Sequence, residues 1–128
     1  MALAGKGWIR LVVETGIGVD QHGQDPTRAS IKAIRDAIQR VCLPVLVEEY
    51  KATPEDILVV VEIGVPYPEK VDKERLIREI PLEGRVELRI YDGGLKTSCV
   101  AMREYGDKTS EMLIAVVAIT VYVRRAGA

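Results

Sequence analysis

The residues best suited to chemistry gather between Glu14 and Thr27, in the run Glu14-Thr15-Gly16-Ile17-Gly18-Val19-Asp20-Gln21-His22-Gly23-Gln24-Asp25-Pro26-Thr27. The run holds the only histidine of the chain, His22, set between Asp20 and Asp25. Imidazole is the side chain whose ordinary pKa lies nearest neutrality, so a histidine oriented by a carboxylate suits general acid–base work. In that role His22 would act with Asp20 or Glu14 on a small polar ligand. Asp20, His22 and Asp25 could instead hold a divalent metal, since imidazole and carboxylates suit zinc, manganese or iron, although their spacing matches no established ligand motif. A third reading is structural, with Asp25 capping a helix, Asp20 closing an Asx turn and His22 at a subunit contact. Gly16, Gly18 and Gly23 let backbone approach a ligand closely. With Asp25 and Thr27 they are candidate ligand-binding residues, and the helix start that ends the run favours anions.

A second candidate is Glu62, the single charge in the apolar run Ile57–Val65. A carboxylate there must be paired, protonated or metal-bound. Its structural reading is an ion pair with Arg10, Arg89 or Arg103, and its functional reading adds it to the catalytic set. Glu14 and Glu62 both fall near the expected carboxyl ends of strands, where ligands bind in sheets with parallel strands. Gly93-Gly94 form a turn that can complete a ligand site from a neighbouring subunit. Other signatures are missing. Gly16-x-Gly18 is no dinucleotide fingerprint, because the third glycine would fall at Gln21. Cys99 could pair with His22 but reads better as an inert thiol, and Cys42 reads as packing. Asp107, after Gly106, reads as a turn residue that can reach a neighbouring subunit.

The elements that would position these groups follow from periodicity. Trp8 to Thr15 alternates as a strand, and Gly16 to Gln24 reads as an irregular loop. Asp25 as N-cap and Pro26 at the first helical position open a helix, with Ile31, Ile34, Ala37, Ile38 and Val41 on its inner face. Pro44 ends or kinks it, and Val45 to Tyr50 can continue it. Thr53-Pro54-Glu55-Asp56 is a capping-box turn before a doubly covered strand, Ile57 to Val65. A short helix over Asp72 to Ile80, a strand over Arg85 to Tyr91, an ambiguous segment Leu95 to Arg103 and a final strand Met112 to Val123 complete the order. Arg124 to Ala128 reads as a flexible tail, and Trp8 as a core or interface anchor. The expected fold is α+β, one domain over residues 1–128, with a β-α-β-α-β-β order and a mixed sheet carrying two helices on one face. Those helices leave the other sheet face uncovered while its strands are apolar, which points to a homo-oligomer.

Composition narrows the partners. The chain has 128 residues, 48% of them hydrophobic, and a net charge of −1. That excludes disorder and lacks the basic excess of a nucleic-acid binder. Met112–Val123 is shorter than the ~20 apolar residues of a spanning helix, and no apolar leader precedes Trp8, so the expected setting is cytoplasmic, without a membrane partner.

The run from Glu14 to Thr27, followed by Arg35-Asp36-Ala37-Ile38, resembles a short bacterial family of conserved hypothetical proteins. Ile63-Gly64-Val65-Pro66, Gly93-Gly94-Leu95 and Gly106-Asp107 fit the same family, and the resemblance covers nearly the whole chain. It implies no activity. The element order is also similar to that of the chorismate mutase-like fold, with Thr53-Pro54-Glu55-Asp56 ahead of the second strand. This similarity implies a trimer, or a multiple of one, with ligand sites between subunits. The arginine-rich mutase site has no match here, so that activity is not implied. The resulting expectation is an oligomer with an interface site for a small polar metabolite, worked by His22, Asp20, Glu14 and Glu62 in a hydrolysis or isomerisation. The rival expectations are a non-catalytic metabolite- or metal-binding module and a structural oligomer.

Overall fold

The computed structural model describes residues 7–125. Five strands form one sheet: β1 (Ile9–Asp20), β2 (Ile57–Val65), β3 (Arg85–Asp92), β4 (Leu95–Ser98) and β5 (Glu111–Val123). Three helices, α1 (Pro26–Ile38), α2 (Val45–Glu48) and α3 (Lys73–Ile77), contribute to the main core. The sheet order is β1-β5-β2-β3, with β4 paired to the start of β5. β5 runs antiparallel to both of its long neighbours, while β2 and β3 pair in parallel. The carboxyl ends of β1, β2 and β3 therefore lie at one end of the sheet, beside the start of β5.

The core follows the strand alternation. Val59, Val61, Ile63 and Val65 of β2 and Val117, Ile119 and Val121 of β5 meet Ala29, Ala33, Ile34, Leu46 and Leu76 from the helices. On the other face a smaller cluster of Leu58, Val60 and Tyr122 is capped by Trp8, with the guanidinium of Arg124 4.8 Å from the Trp8 ring. β2 is thus covered on both sides over its first half, as its apolar run predicts. Farther along, Val13, Ile17, Tyr91 and Val116 stand exposed. Among the described residues no helix is long and apolar enough to cross a membrane.

Several sequence expectations need correction. The segment expected to be an irregular glycine-rich loop is strand as far as Asp20, paired with β5 through Gly16–Val117, Gly18–Ala115 and Asp20–Leu113. The two glycines are there to admit a helix. A Cβ on Gly16 would lie 2.6 Å from the Ala37 amide nitrogen, and one on Gly18 would lie 2.8 Å from the Lys32 Cβ. Glycine in a strand commonly marks such a close backbone approach. The first helix stops at Ile38, so Cys42 lies beyond it and is exposed, as is Cys99. The ambiguous segment contains a short strand, β4. The tail is ordered at its start: Arg124 N–H donates to Asp56 O at 3.0 Å, and Arg125 reaches the Glu49 carboxylate at 3.2 Å. Residues 126–128 of the expected tail lie outside the described residues.

The local signals are found where expected. Asp25 accepts from Thr27 N–H at 2.9 Å with Pro26 opening α1, and Thr53 and Asp56 form the capping box.

The glycine contacts generate a stability prediction. Gly18→Ala should cost at least about 3 kcal/mol in urea denaturation, the upper end of ordinary overpacking, because the new methyl meets helix backbone that cannot yield. Gly23→Ala, where a Cβ meets nothing within 4 Å and only the φ of +84° is unfavourable, should cost about 1 kcal/mol.

Candidate functional site at the carboxyl end of the sheet

His22 stands just past β1 and is held by a residue remote in sequence. Its Nδ1 lies 3.0 and 2.9 Å from the two oxygens of Asp107. Asp107 is buried and also accepts from Met102 N–H at 2.8 Å and Gly23 N–H at 3.2 Å. These donors, the Met102 amide first and then the His22 ring and the Gly23 amide, hold its carboxyl below the usual carboxylate range despite the opposing cost of burial. An ionised carboxylate can only accept. Nδ1 must therefore carry the proton and donate it, while Nε2 makes no hydrogen bond among the described residues. The ring also lies 5.0 Å from that of Tyr105, and its side chain keeps 38% of its surface exposed.

Neighbouring groups connect this pair to the ends of the other strands. The Gln24 side-chain amide donates through Nε2 to Glu111 O at 3.0 Å, and its Oε1 accepts from Lys108 N–H. The Glu111 carboxylate accepts from the Tyr67 hydroxyl at 3.0 Å. Tyr67 follows β2 with a left-handed backbone, φ 57°, a conformation that bulky side chains rarely adopt and that tends to occur at functional sites. Gln24 is left-handed too, at φ 46°. Lys96 Nζ lies 3.4 Å from the Tyr67 hydroxyl. That contact raises its ammonium above the ordinary lysine value, and Glu111 and Asp92 act in the same direction. Pro66, Tyr67, Asp92, Gly93, Gly94 and Lys96 line an open cleft of about 570 Å³.

The structure separates the residues that the sequence grouped. His22 and Gly23 join Asp107, and Gly93 and Gly94 line the cleft at the same end of the sheet. Gly93 and Gly94 also let the chain cross β2, since a Cβ on Gly93 would lie 3.2 Å from Gly64 Cα. Asp20 does not orient His22. It is buried and accepts from Asp25 N–H at 2.8 Å, with Lys32 Nζ 3.8 Å away. Asp25 serves as helix cap, and the Thr27 hydroxyl accepts from Asp72 N–H at 2.9 Å, which ties the start of α3 to α1. Gly16 and Gly18 are covered by α1. Asp20, His22 and Asp25 do not converge as metal ligands: among the described residues no group of three or more His, Cys, Asp or Glu is placed to hold an ion.

Glu14 and Glu62 part company. Thr15 and Glu62 both stand opposite Ala118, so Glu62 shares the open face with Thr15 while Glu14, one residue earlier, points to the helix face. Glu14 lies mid-strand, because β1 runs on to Asp20, whereas Glu62 is three residues from the end of β2 as expected. Glu62 borders a hollow of about 540 Å³ with Thr15, Ile17, Tyr91, Val116 and Ala118. It makes no ion pair among the described residues; Arg89, its register neighbour, pairs with Glu87 at 3.4 Å.

Comparison with known proteins adds a family. The family model described as "Conserved hypothetical protein (Lin0512_fam)" matches residues 10–121. The crystal structure of an FtsZ-like protein of unknown function from Nostoc punctiforme is similar, with a TM-score of 0.83 and 39% identity over 94% of this chain and 100% of that one. No curated protein matches.

A pH prediction follows from Asp107 and from Asp56, whose carboxyl is likewise lowered, chiefly by hydrogen bonds from the Thr53 amide and hydroxyl. A carboxyl depressed by folding stabilises the protein above its unfolded pKa, and that contribution is lost as pH falls through the folded value. Denaturation midpoints should therefore be steady near neutrality and fall below about pH 4. Asp107→Asn should be less stable at pH 7 and should show a shallower acid decline than the parent.

Proposed function

The chain belongs to the Lin0512 family of conserved hypothetical proteins, and we propose that it binds a small polar metabolite at the carboxyl end of its sheet, where His22 serves as an acid–base group. The observation that carries this reading is the Asp107–His22 pair: a buried, ionised carboxylate holds Nδ1–H and leaves Nε2 free at a partly exposed position. Asp107 takes the orienting role first expected of Asp20. In this arrangement Nε2 can accept a proton from a ligand hydroxyl or amine, and Asp107 stabilises the resulting imidazolium. Lys96, which keeps further ammonium hydrogens beyond its contact with Tyr67, supplies a donor for an anionic or carbonyl group in the cleft it lines. Hydrolysis and isomerisation are the reaction classes such a group serves. The Nostoc relative is described as FtsZ-like and of unknown function, which supplies no reaction to carry over.

The reading includes self-association. Val13, Ile17, Tyr91 and Val116 are exposed apolar residues, and a second copy would cover them. It also keeps the chorismate mutase-like, trimeric architecture, supported by the order of the main elements and by helices confined to one face. Glu62, without an ion pair among the described residues, then lies where a neighbouring subunit would meet it.

His22 is the single histidine, so a nitrogen-detected NMR spectrum at pH 8 reports it without overlap. The expected spectrum shows the Nδ1–H tautomer, and Asp107→Asn should lose that preference. An Nε2–H tautomer in the parent would overturn the assigned role. His22→Ala, read by native mass spectrometry and metabolite binding, should keep the subunit count of the parent while losing turnover or affinity. Dissociation on that substitution would make His22 a subunit contact instead.

A further inference from the structure

We propose that Glu14 marks a second ligand site, separate from the His22 site and independent of the reading above. It would take a small organic cation, an ammonium group carried on one ring or a short hydrocarbon chain. The site is a cavity of about 250 Å³ between the sheet and the segments that follow α1 and α3. Its walls are apolar, with Val12, Ile38, Leu43, Val59, Leu82 and Ile119 among them, and Glu14 is the one charged residue that lines it. An apolar enclosure with a single placed polar group is the usual form of a small-molecule site.

Size and charge define the occupant. Apolar cavities of about 150 Å³ accept benzene, so this one holds a ring and a few further atoms but no larger metabolite. Glu14 is partly buried and forms no hydrogen bond or ion pair among the described residues. A carboxylate set among aliphatic side chains gains most from a cation that arrives with its own apolar body. The ammonium supplies a counter-charge beside apolar walls, and the hydrocarbon part fills space that water occupies poorly. A carboxylate ligand would be repelled, and a neutral ligand would leave Glu14 unpaired. The cavity is distinct from the His22 cluster, because Glu14 and Asp20 are six residues apart on β1, roughly 20 Å.

The test is calorimetric titration of the full chain with 2-phenylethylamine, its neutral counterpart 2-phenylethanol, and phenylacetate, alongside methyl NMR. The expected result is saturable binding of the amine with shifts at the Ile38 and Ile119 methyls, at least tenfold weaker binding of the alcohol, and none of phenylacetate. Glu14→Gln should weaken the amine at least tenfold and leave the alcohol unchanged. Leu82→Trp, which fills the cavity while keeping Glu14 in the sequence, should abolish both, so the inference does not hang on one variant's folding. Equal affinity for amine and alcohol, amine binding unaltered in Glu14→Gln, shifts confined to the His22 cluster, or no binding at all would each overturn it.

Discussion

The close contact between α1 and β1 is the constraint on which the rest of the structure depends. A helix normally rides above a sheet on a layer of side chains. Here Gly16 and Gly18 remove that layer from the strand, and Ala29, Ala33 and Ala37, four residues apart, remove it from the helix. Helix backbone then approaches strand backbone. This fixes where α1 begins relative to the end of β1, and the short connection between them, which carries His22, Gly23 and Gln24, has little freedom left. Asp20 strengthens the join by accepting the Asp25 amide. The contact also accounts for the cavity at Glu14. Toward the start of β1 the strand carries side chains again at Val12 and Glu14, α1 ends at Ile38, and the space between them is left to looser segments.

The same device recurs at the crossing from β3 to β4. The chain must leave β3, pass the end of β2 and join the start of β5 in line with β2. Gly64, Gly93 and Gly94 make that crossing possible at backbone contact distance. Pro66 and the left-handed Tyr67 turn the exit of β2 out of the way. Sheet pairing sets the ends of β1, β2 and β3 at one edge, the two glycine-mediated contacts let α1 and the β3–β4 crossing pack against them, and the polar network from His22 through Asp107, Gln24 and Glu111 to Tyr67 and Lys96 lies at that end.

Which parts of this were legible in the sequence depends on how far apart the interacting residues lie. Asp25 with Pro26, Thr53 with Asp56, and the apolar run of β2 are local, and each forms the element its pattern predicts. Gly16 and Gly18 misled because glycine-rich polar sequence ordinarily means a loop. The partner signal, alanine at 29, 33 and 37, is visible in the chain, but nothing local says that it faces those glycines. Glu14 and Glu62 were grouped by proximity to strand ends, whereas the parity of the register decides their faces and opposes them. Asp107 is 85 positions from His22, beyond the reach of any spacing argument. Its one local sign was the Gly106-Asp107 turn, in which Gly106 is indeed left-handed.

Asp107 alone would suffice as a staple for its surroundings. It ties Met102, Gly23 and Gln24 across the two segments, and those bonds would persist with any residue at position 22. The histidine adds one further donor to that staple. A histidine recruited only as one more donor would be best satisfied with both ring nitrogens engaged, since an imidazole edge left without a partner adds nothing to stability. Here one edge is fixed by a buried anion and the other has no protein partner among the described residues. In the proposed reading that asymmetry, one nitrogen anchored and one presented, is what an acid–base group requires, and it rests on the same backbone contact that places the end of β1 against the start of α1.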